Sequence, residues 1–449
     1  MPLTVIELND SCLRAGDENG IIFQTPGFAL VTSDQIEVGD HAEEQARLQP
    51  TNIFNKYWHE LSLEPVPHNR QIRHHADLAY MQLKNIAEMG NIDDDVIFSV
   101  PSNFTREQLG ILLGLCQKSL FKVVGLVDSA LLAASTVAQA EHIVYADMQL
   151  HQVVLTKLAV ADNYLAVQGV TQIPGVGIQN FKALMMQIAT DLFIHQCRFN
   201  PQHNAYSEQQ LYNELNSWLL QVSEEQTLLL ELKSGDAAHT AKLPRERLVA
   251  ALNEYYKKIN AQIKAVLADS GSQLLLSESL AGLPDYISTL SPIYDLVVLD
   301  HNQVIKACHD YKALITDDKE EIHLVTKFLA EKLGIKQSVN KPTEYQLEIA
   351  THILYDNRAI EIGNIEIKNS ISDQCNVAPT KVIYINLEKS AERFGSIKKR
   401  GDGIYFKCGG GEVFLNGDLI TGEHALKLGD RIQFSKHGKA ISLIKVDNG

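Results

Sequence analysis

Asp93-Asp94-Asp95-Val96-Ile97-Phe98-Ser99-Val100-Pro101 sets an apolar, β-prone run between an acidic turn and a proline, and Thr105-Arg106-Glu107-Gln108 follows it closely. An unbroken stretch of Val, Ile and Phe describes a strand buried on both faces. Thr105 and Gln108 have the spacing of a capping box, in which a hydroxyl and an amide satisfy each other's backbone N–H groups at a helix start. Leu109, Leu112, Leu113, Cys116 and Leu120 then recur at helical spacing. Strand, loop and capped helix form the repeating unit of an α/β fold. The unit recurs at once, with a strand expected at 123–127, an Ala- and Leu-rich helix at 129–139 and a strand at 142–147.

Upstream, Leu3-Thr4-Val5-Ile6-Glu7-Leu8 is a strand that ends in the turn formers Asn9-Asp10-Ser11, and further strands are expected at 12–15 and 20–24. Downstream, 153–159 and 164–170 read as an antiparallel meander. Helical periodicity dominates 177–232, and a second long helix is expected over 243–268 behind Pro244. Thr316-Asp317-Asp318 is expected to cap a helix carrying Ile322, Val325, Phe328, Leu329 and Leu333, with a polar linker at 335–343. Beyond it, short strands alternate with turn signals such as Asn416-Gly417. Three regions follow: 1–315, a helix and linker at 316–344, and a small all-β domain at 345–449.

The composition of the 449 residues narrows the function. Lys+Arg 40 against Asp+Glu 55 gives a net charge of -15, and the best basic run is Lys398-Lys399-Arg400, so nucleic acid is not an expected partner. At 45% hydrophobic residues the chain has material for a substantial core, while no stretch approaches the roughly 20 apolar residues of a membrane span. The first ten residues lack the pattern of a secretion signal, so the expected compartment is the cytoplasm. Cys12, Cys116, Cys197, Cys308, Cys375 and Cys408 are too dispersed for a disulfide framework. His195, Cys197 and His203 lack a fourth ligand at a recognisable spacing, so no metal site is expected.

Several segments share an order with a known family. Gly39-Asp40-His41-Ala42 with Ala46-Arg47-Leu48-Gln49-Pro50-Thr51-Asn52 matches a Gly-x-x-Ala, Gln-x-x-x-Asn-Pro-x-Asn segment. Val100-Pro101-Ser102-Asn103-Phe104 matches a Val-Pro-Ala-x-Phe entry, 124–134 an Ile-Asn-Glu-Pro-Thr-Ala-Ala-Ala run, and Pro26-Gly27-Phe28-Ala29 a Thr-Pro-Ser-x-Val strand. In this order, residues 1–315 resemble the nucleotide-binding domain of the DnaK-type heat-shock chaperone family, within the actin-like ATPase superfamily. The resemblance implies an α/β, two-lobed actin-like ATPase fold, with ATP or ADP and Mg held between the lobes.

The phosphate loops depart from that family. Its first loop, Asp-x-Gly-Thr-Thr-x-Ser, is here Glu7-Leu8-Asn9-Asp10-Ser11-Cys12-Leu13, and its second, Asp-x-Gly-Gly-Gly-Thr, is Asp147-Met148-Gln149-Leu150-His151-Gln152. Glycines there let backbone N–H groups meet phosphate oxygens without a Cβ in the way. Asp10 adds a charge whose repulsion of a phosphate about 4 Å away is on the order of 4 kcal/mol. The adenosine-side Gly-Gly-Ser becomes Ser277-Glu278-Ser279, and the adenosine clasp falls at Glu225, Leu228 and Leu232, where its cation is lost. By the resemblance, Lys56, Asp128 and Asp147 are the catalytic candidates, and Glu7, Asn9, Ser11, Gly175, Gly177, Ser277 and Ser279 the nucleotide-binding ones.

In the C-terminal region, Val413-Phe414-Leu415-Asn416-Gly417 with Leu428-Gly429-Asp430-Arg431-Ile432 resembles the last strands of a forkhead-associated domain. That family reads phosphothreonine with a Gly-Arg pair and a Ser-x-x-His element, whereas Arg393-Phe394-Gly395-Ser396 has the residue types in another order. The expected function is therefore a DnaK-like scaffold with eroded phosphate loops, non-hydrolysing or weakly hydrolysing, holding a protein partner of unknown identity. Two alternatives stay open: an active ATP-dependent switch with bound Mg, and a phosphopeptide-binding adaptor acting through the C-terminal domain.

Overall fold

A computed structural model describes residues 3–66, 71–137, 140–221, 226–235, 237–267, 272–316, 322–333, 350–355, 358–369, 381–385, 393–400, 403–435 and 440–445. The fold is mixed α/β, with eleven α-helices and several sheets among the described residues. The chain divides into two compact units, Met1–Gln337 and Ser338–Gly449. The expected linker at 335–343 lies outside the described residues.

The first unit opens with an antiparallel meander, β1 (Leu3–Glu7), β2 (Leu13–Asp17) and β3 (Gly20–Thr25). A small sheet of β4 (Ala29–Val31), β5 (Ile36–Val38) and β6 (Ile53–Phe54) follows, with α1 (Asp40–Glu44) beside it and α2 (His75–Met89) beyond. Then come β7 (Asp95–Val100), α3 (Arg106–Cys116), β8 (Lys122–Asp128) and α4 (Ser129–Ser135), with β7 and β8 adding to β1 in parallel. A second meander, β9 (His142–Met148), β10 (Gln152–Ala161) and β11 (Tyr164–Pro174), leads to α5 (Ile178–Cys197) and α6 (Ala205–Gln221). A hairpin of β12 (Thr227–Ser234) and β13 (Ala237–Pro244) precedes α7 (Arg245–Val266). The run ends with β14 (Gln273–Ser277), α8 (Glu278–Ala281), α9 (Tyr286–Leu290), β15 (Asp295–Leu299), α10 (His301–Asp310) and α11 (Lys312–Ile315).

The two large sheets repeat one plan. In each, a three-stranded antiparallel meander is extended by two parallel strands, in the orders β8-β7-β1-β2-β3 and β15-β14-β9-β10-β11. The apolar run at 96–100 is buried on both faces, as expected: Phe98 packs with Ile6 and Leu83 in one core, while Ile97 packs with Val5 and Val127 in another. That second core also draws Ile143, Tyr145 and Leu275 from the other sheet and the apolar faces of α4 and α10, which ties both sheets to one interior. The capping box is formed, since Gln108 N–H donates to Thr105 Oγ1 at 3.2 Å and Thr105 N–H to Gln108 Oε1 at 2.9 Å.

Two helical expectations fail. Leu324–Val325 and Lys327–Leu329 are short strands, β16 and β17, and Ala330–Leu333 is a 3-10 turn. Edge pairing outweighs the apolar spacing: β16 adds to β8, and β17 pairs with β11 and buries Phe328. Likewise 227–234 is strand, because the β12–β13 pairing brings Leu228, Leu230 and Leu232 onto the core under α5 and α6. Alternate leucines suit a half-buried strand better than a helix face.

In the second unit the described elements are all strands, in sheets of six and five. Ile353, Ile365, Phe394, Phe406, Ile432 and Ile441 fill one core between them. Asn416 and Gly417 both have positive φ, 54° and 98°, as a two-residue turn between Val413–Leu415 and Asp418–Ile420 requires.

Candidate functional site

The site lies where the β1–β2 loop meets the β9–β10 loop. The two are stitched together by side chains from the first. Asn9 Nδ2 donates to the Asp147 carboxylate at 2.9 Å and to the Met148 carbonyl at 3.1 Å. Asp10 accepts the Leu150 N–H at 2.7 Å, while its own carbonyl takes the Gly27 N–H at 3.0 Å. Ser11 turns back on Asn9, donating its N–H and hydroxyl to Asn9 Oδ1. A carboxylate of the protein thus occupies a backbone N–H of the second loop, the kind of donor that a glycine loop would offer to a phosphate.

The second loop is fixed from behind by the start of α5. Ile178 N–H donates to Gln149 O and Gln179 N–H to Leu150 O, at 3.1 and 2.9 Å, and Gly175 N–H donates to His151 O at 3.1 Å. Gly177 permits this approach, since a Cβ there would lie 2.3 Å from Gln152 N. Ser277, at the end of β14, supports the same loop by accepting the Met148 N–H at 3.3 Å. Ser279 sits one residue into α8 and takes no part in these bonds.

Beneath the loops lies a buried charge cluster. Glu7 pairs with Arg14 at 3.3 Å, and both are nearly sealed from solvent. Asp147 is raised to about 7, first by burial and then by the Glu7 charge, with the Ser277 hydroxyl and Arg14 opposing. Burial raises Asp10 to about 6 against the Leu150 N–H, and it also raises Glu7 against the pull of Arg14. Asp128 is raised by burial to about 6, but it caps α4, accepting Ala130 and Leu131 N–H groups and the Ser102 hydroxyl. All three bonds fall on Oδ1, which ties that oxygen to the helix start.

Lys56 does not enter this cluster. It is exposed and lies 3.8 Å from Glu60, on the side where His151 bonds the Asn55 carbonyl. Of the nominated residues, the fold gathers Glu7, Asn9, Ser11, Asp147, Gly175, Gly177 and Ser277. It leaves Lys56, Asp128 and Ser279 outside. Leu228 and Leu232 of the expected clasp are core residues of a strand, and Glu225 lies outside the described residues. Arg14 and Gln149 complete the site without having been nominated. The signal for Arg14 was a lone cation in the short strand Leu13–Asp17.

Above the β1–β2 loop a cavity of about 230 Å³ opens, bordered by Asp10, Trp58, Asn103, Phe104, Gln108 and Gln149 among others. Among the described residues no cluster of three His, Cys, Asp or Glu is arranged to hold a metal ion. No helix among them is long and apolar enough to cross a membrane.

No family model matches the chain, and no curated protein matches it in sequence.

The buried carboxylates set a pH dependence. Asp10, Asp128 and Asp147 have folded-state pKa values above the ordinary carboxylate value, so the folded state binds more protons than the unfolded one across the acid range. The stability they contribute is full below about pH 4 and is lost as pH rises through about 6 to 7. His151, His301 and His309 are lowered, first by burial, and their contribution is lost as pH falls below the ordinary histidine value. Between pH 7.5 and 6 the three aspartates add the equivalent of about 2 kcal/mol while the three histidines work against them, so the aspartate contribution is read as a difference between the native chain and Asp147→Asn. The native chain should gain about 1 kcal/mol on Asp147→Asn as pH falls from 7.5 to 6, and a difference that stays level or shrinks over this interval would contradict it.

Proposed function

We propose that this chain is a DnaK-like, actin-like protein whose two lobes are held together without nucleotide and which serves as a non-hydrolysing or weakly hydrolysing platform for a protein partner. The repeated plan of the two large sheets supports the actin-like reading. Two all-β sheets around one core support a forkhead-associated-like C-terminal unit. The observation that carries the functional reading is the Asp10 carboxylate on the Leu150 N–H.

ATP or ADP with Mg is the cofactor that the resemblance implies, and the residues present do not fit it. Asn9 and Asp10 bridge the two loops, and Gln149, Leu150 and His151 carry side chains where a phosphate would need bare backbone. Arg14, the cation in the cluster, is committed to Glu7, and Lys56 faces solvent beside Glu60. A phosphate entering here would have to displace a buried carboxylate and meet its charge.

In the C-terminal unit Arg393 is paired with Glu366 at 2.9 Å and Ser396 is buried. That unit enters the proposal as an interaction surface rather than as a phosphothreonine reader.

The test is calorimetric titration of the full chain with Mg-ATP and Mg-ADP, alongside a thermal-shift series to millimolar nucleotide. The expected result is no saturable heat and no shift. Micromolar binding would overturn the proposal in favour of an ATP-dependent switch.

A further inference from the structure

The cavity beside the β1–β2 loop has a lining unlike that of an anion site. We propose that it binds a small, uncharged, planar molecule bearing a carboxamide or lactam, such as a single heteroaromatic ring with an amide group. This rests in part on the scaffold proposal, since Asp10 and Gln149 belong to both, and goes beyond it by naming a class of ligand.

Three observations carry it. First, the volume of about 230 Å³ lies below the roughly 300–1,000 Å³ of common ligand pockets, so it suits one ring and a substituent. Second, Trp58, Phe104 and Pro101 supply apolar lining. Trp58 is held in place before any ligand arrives: its Nε1–H donates to Gln82 Oε1 at 2.7 Å, and the fully buried Gln82 in turn donates to the Pro26 carbonyl at 2.7 Å.

Third, the polar groups are mainly amides. Asn103 and Gln149 face each other, each donating one N–H to the other's oxygen at 3.2 and 3.0 Å. Gln152 donates to Gln149 Oε1 at 2.8 Å, which fixes that amide's orientation. Each primary amide has two N–H groups, so the pair retains donors for a ligand carbonyl, and Asn103 Oδ1 retains acceptor capacity for a ligand N–H. Among the described residues that line the cavity none is Lys or Arg, while Asp10 borders it. A phosphate or carboxylate ligand would meet Asp10 with His59 as the one basic side chain in the lining, whereas a neutral amide finds matched donors and acceptors.

The test uses benzamide, benzoate and benzamidine, which share a ring and differ in charge. Trp58 and Trp218 are the two tryptophans of the chain, so in a Trp218→Phe background Trp58 fluorescence reports the cavity alone. Saturation-transfer NMR on the unaltered protein reads the same order of affinities without any substitution. Benzamide is expected to bind saturably in the millimolar range and at least tenfold more tightly than benzoate. Gln149→Leu and Asn103→Leu should each weaken it tenfold or more. Absence of saturation at 20 mM by both methods, equal binding of benzoate, or tighter binding of benzamidine than of benzamide would overturn the proposal.

Discussion

Gly177→Ala is expected to pry the β9–β10 loop off the start of α5. The added Cβ would lie 2.3 Å from Gln152 N, 2.4 Å from His151 C and 2.5 Å from His151 N, all of them backbone atoms that no rotamer change can move. Relief requires a shift of the loop, and with it the loss of the bonds from Ile178 and Gln179 to Gln149 and Leu150. Overpacking of this kind costs about 3 kcal/mol. Hydrogen exchange at residues 149–152 should then accelerate on the order of 100-fold, since every 1.4 kcal/mol is about a factor of ten.

Gly110→Ala is the matched control. It lies inside α3 with no atom within 4 Å of the added Cβ, and should stabilise the chain by about 0.5–1 kcal/mol. If the two variants behave alike, the close approach at Gly177 does not exist.

The second large effect falls on the buried ion pair. Arg14→Met leaves Glu7 without its counter-charge, with Asp147 near enough for each carboxylate to oppose the other's ionisation. Removing one member of a buried pair is strongly destabilising, by about 3–5 kcal/mol, while replacing both with uncharged groups is often near neutral. The double variant Glu7→Gln with Arg14→Met should therefore regain most of the loss in a urea-unfolding experiment. A loss below about 1 kcal/mol for Arg14→Met alone would mean that Glu7 is already neutral in the folded state. Residual destabilisation in the double variant would point to the packing of the Arg14 stem instead.

Legibility differed by element. The capping box at Thr105 and Gln108 and the Asn416-Gly417 turn were readable because each rests on contacts within a few residues, and the strand at 96–100 because its unbroken apolar run is itself the signal of burial on both faces. The helix expected around Val325 and Phe328 and the helical reading of 227–232 were not. There the chain serves as an edge strand or a hairpin, and what decides is a partner strand far away in sequence. Much of the site was nominated residue by residue from family motifs. The roles were less visible: Asp128 looks catalytic in sequence and is a helix cap in space, and Lys56 is a surface cation.

By itself, the sequence determined the alternation of strands and helices, the absence of glycine from 7–13 and 147–152 and the change to an all-β C-terminal region. These are properties of local periodicity, backbone freedom and composition. Only the tertiary structure decided that Asn9 and Asp10 bridge to Asp147, Met148 and Leu150, some 140 positions away, and that Arg14 answers Glu7 beneath them. A carboxylate's meaning depends on which donor it meets and how much water is left around it, and both are set by folding.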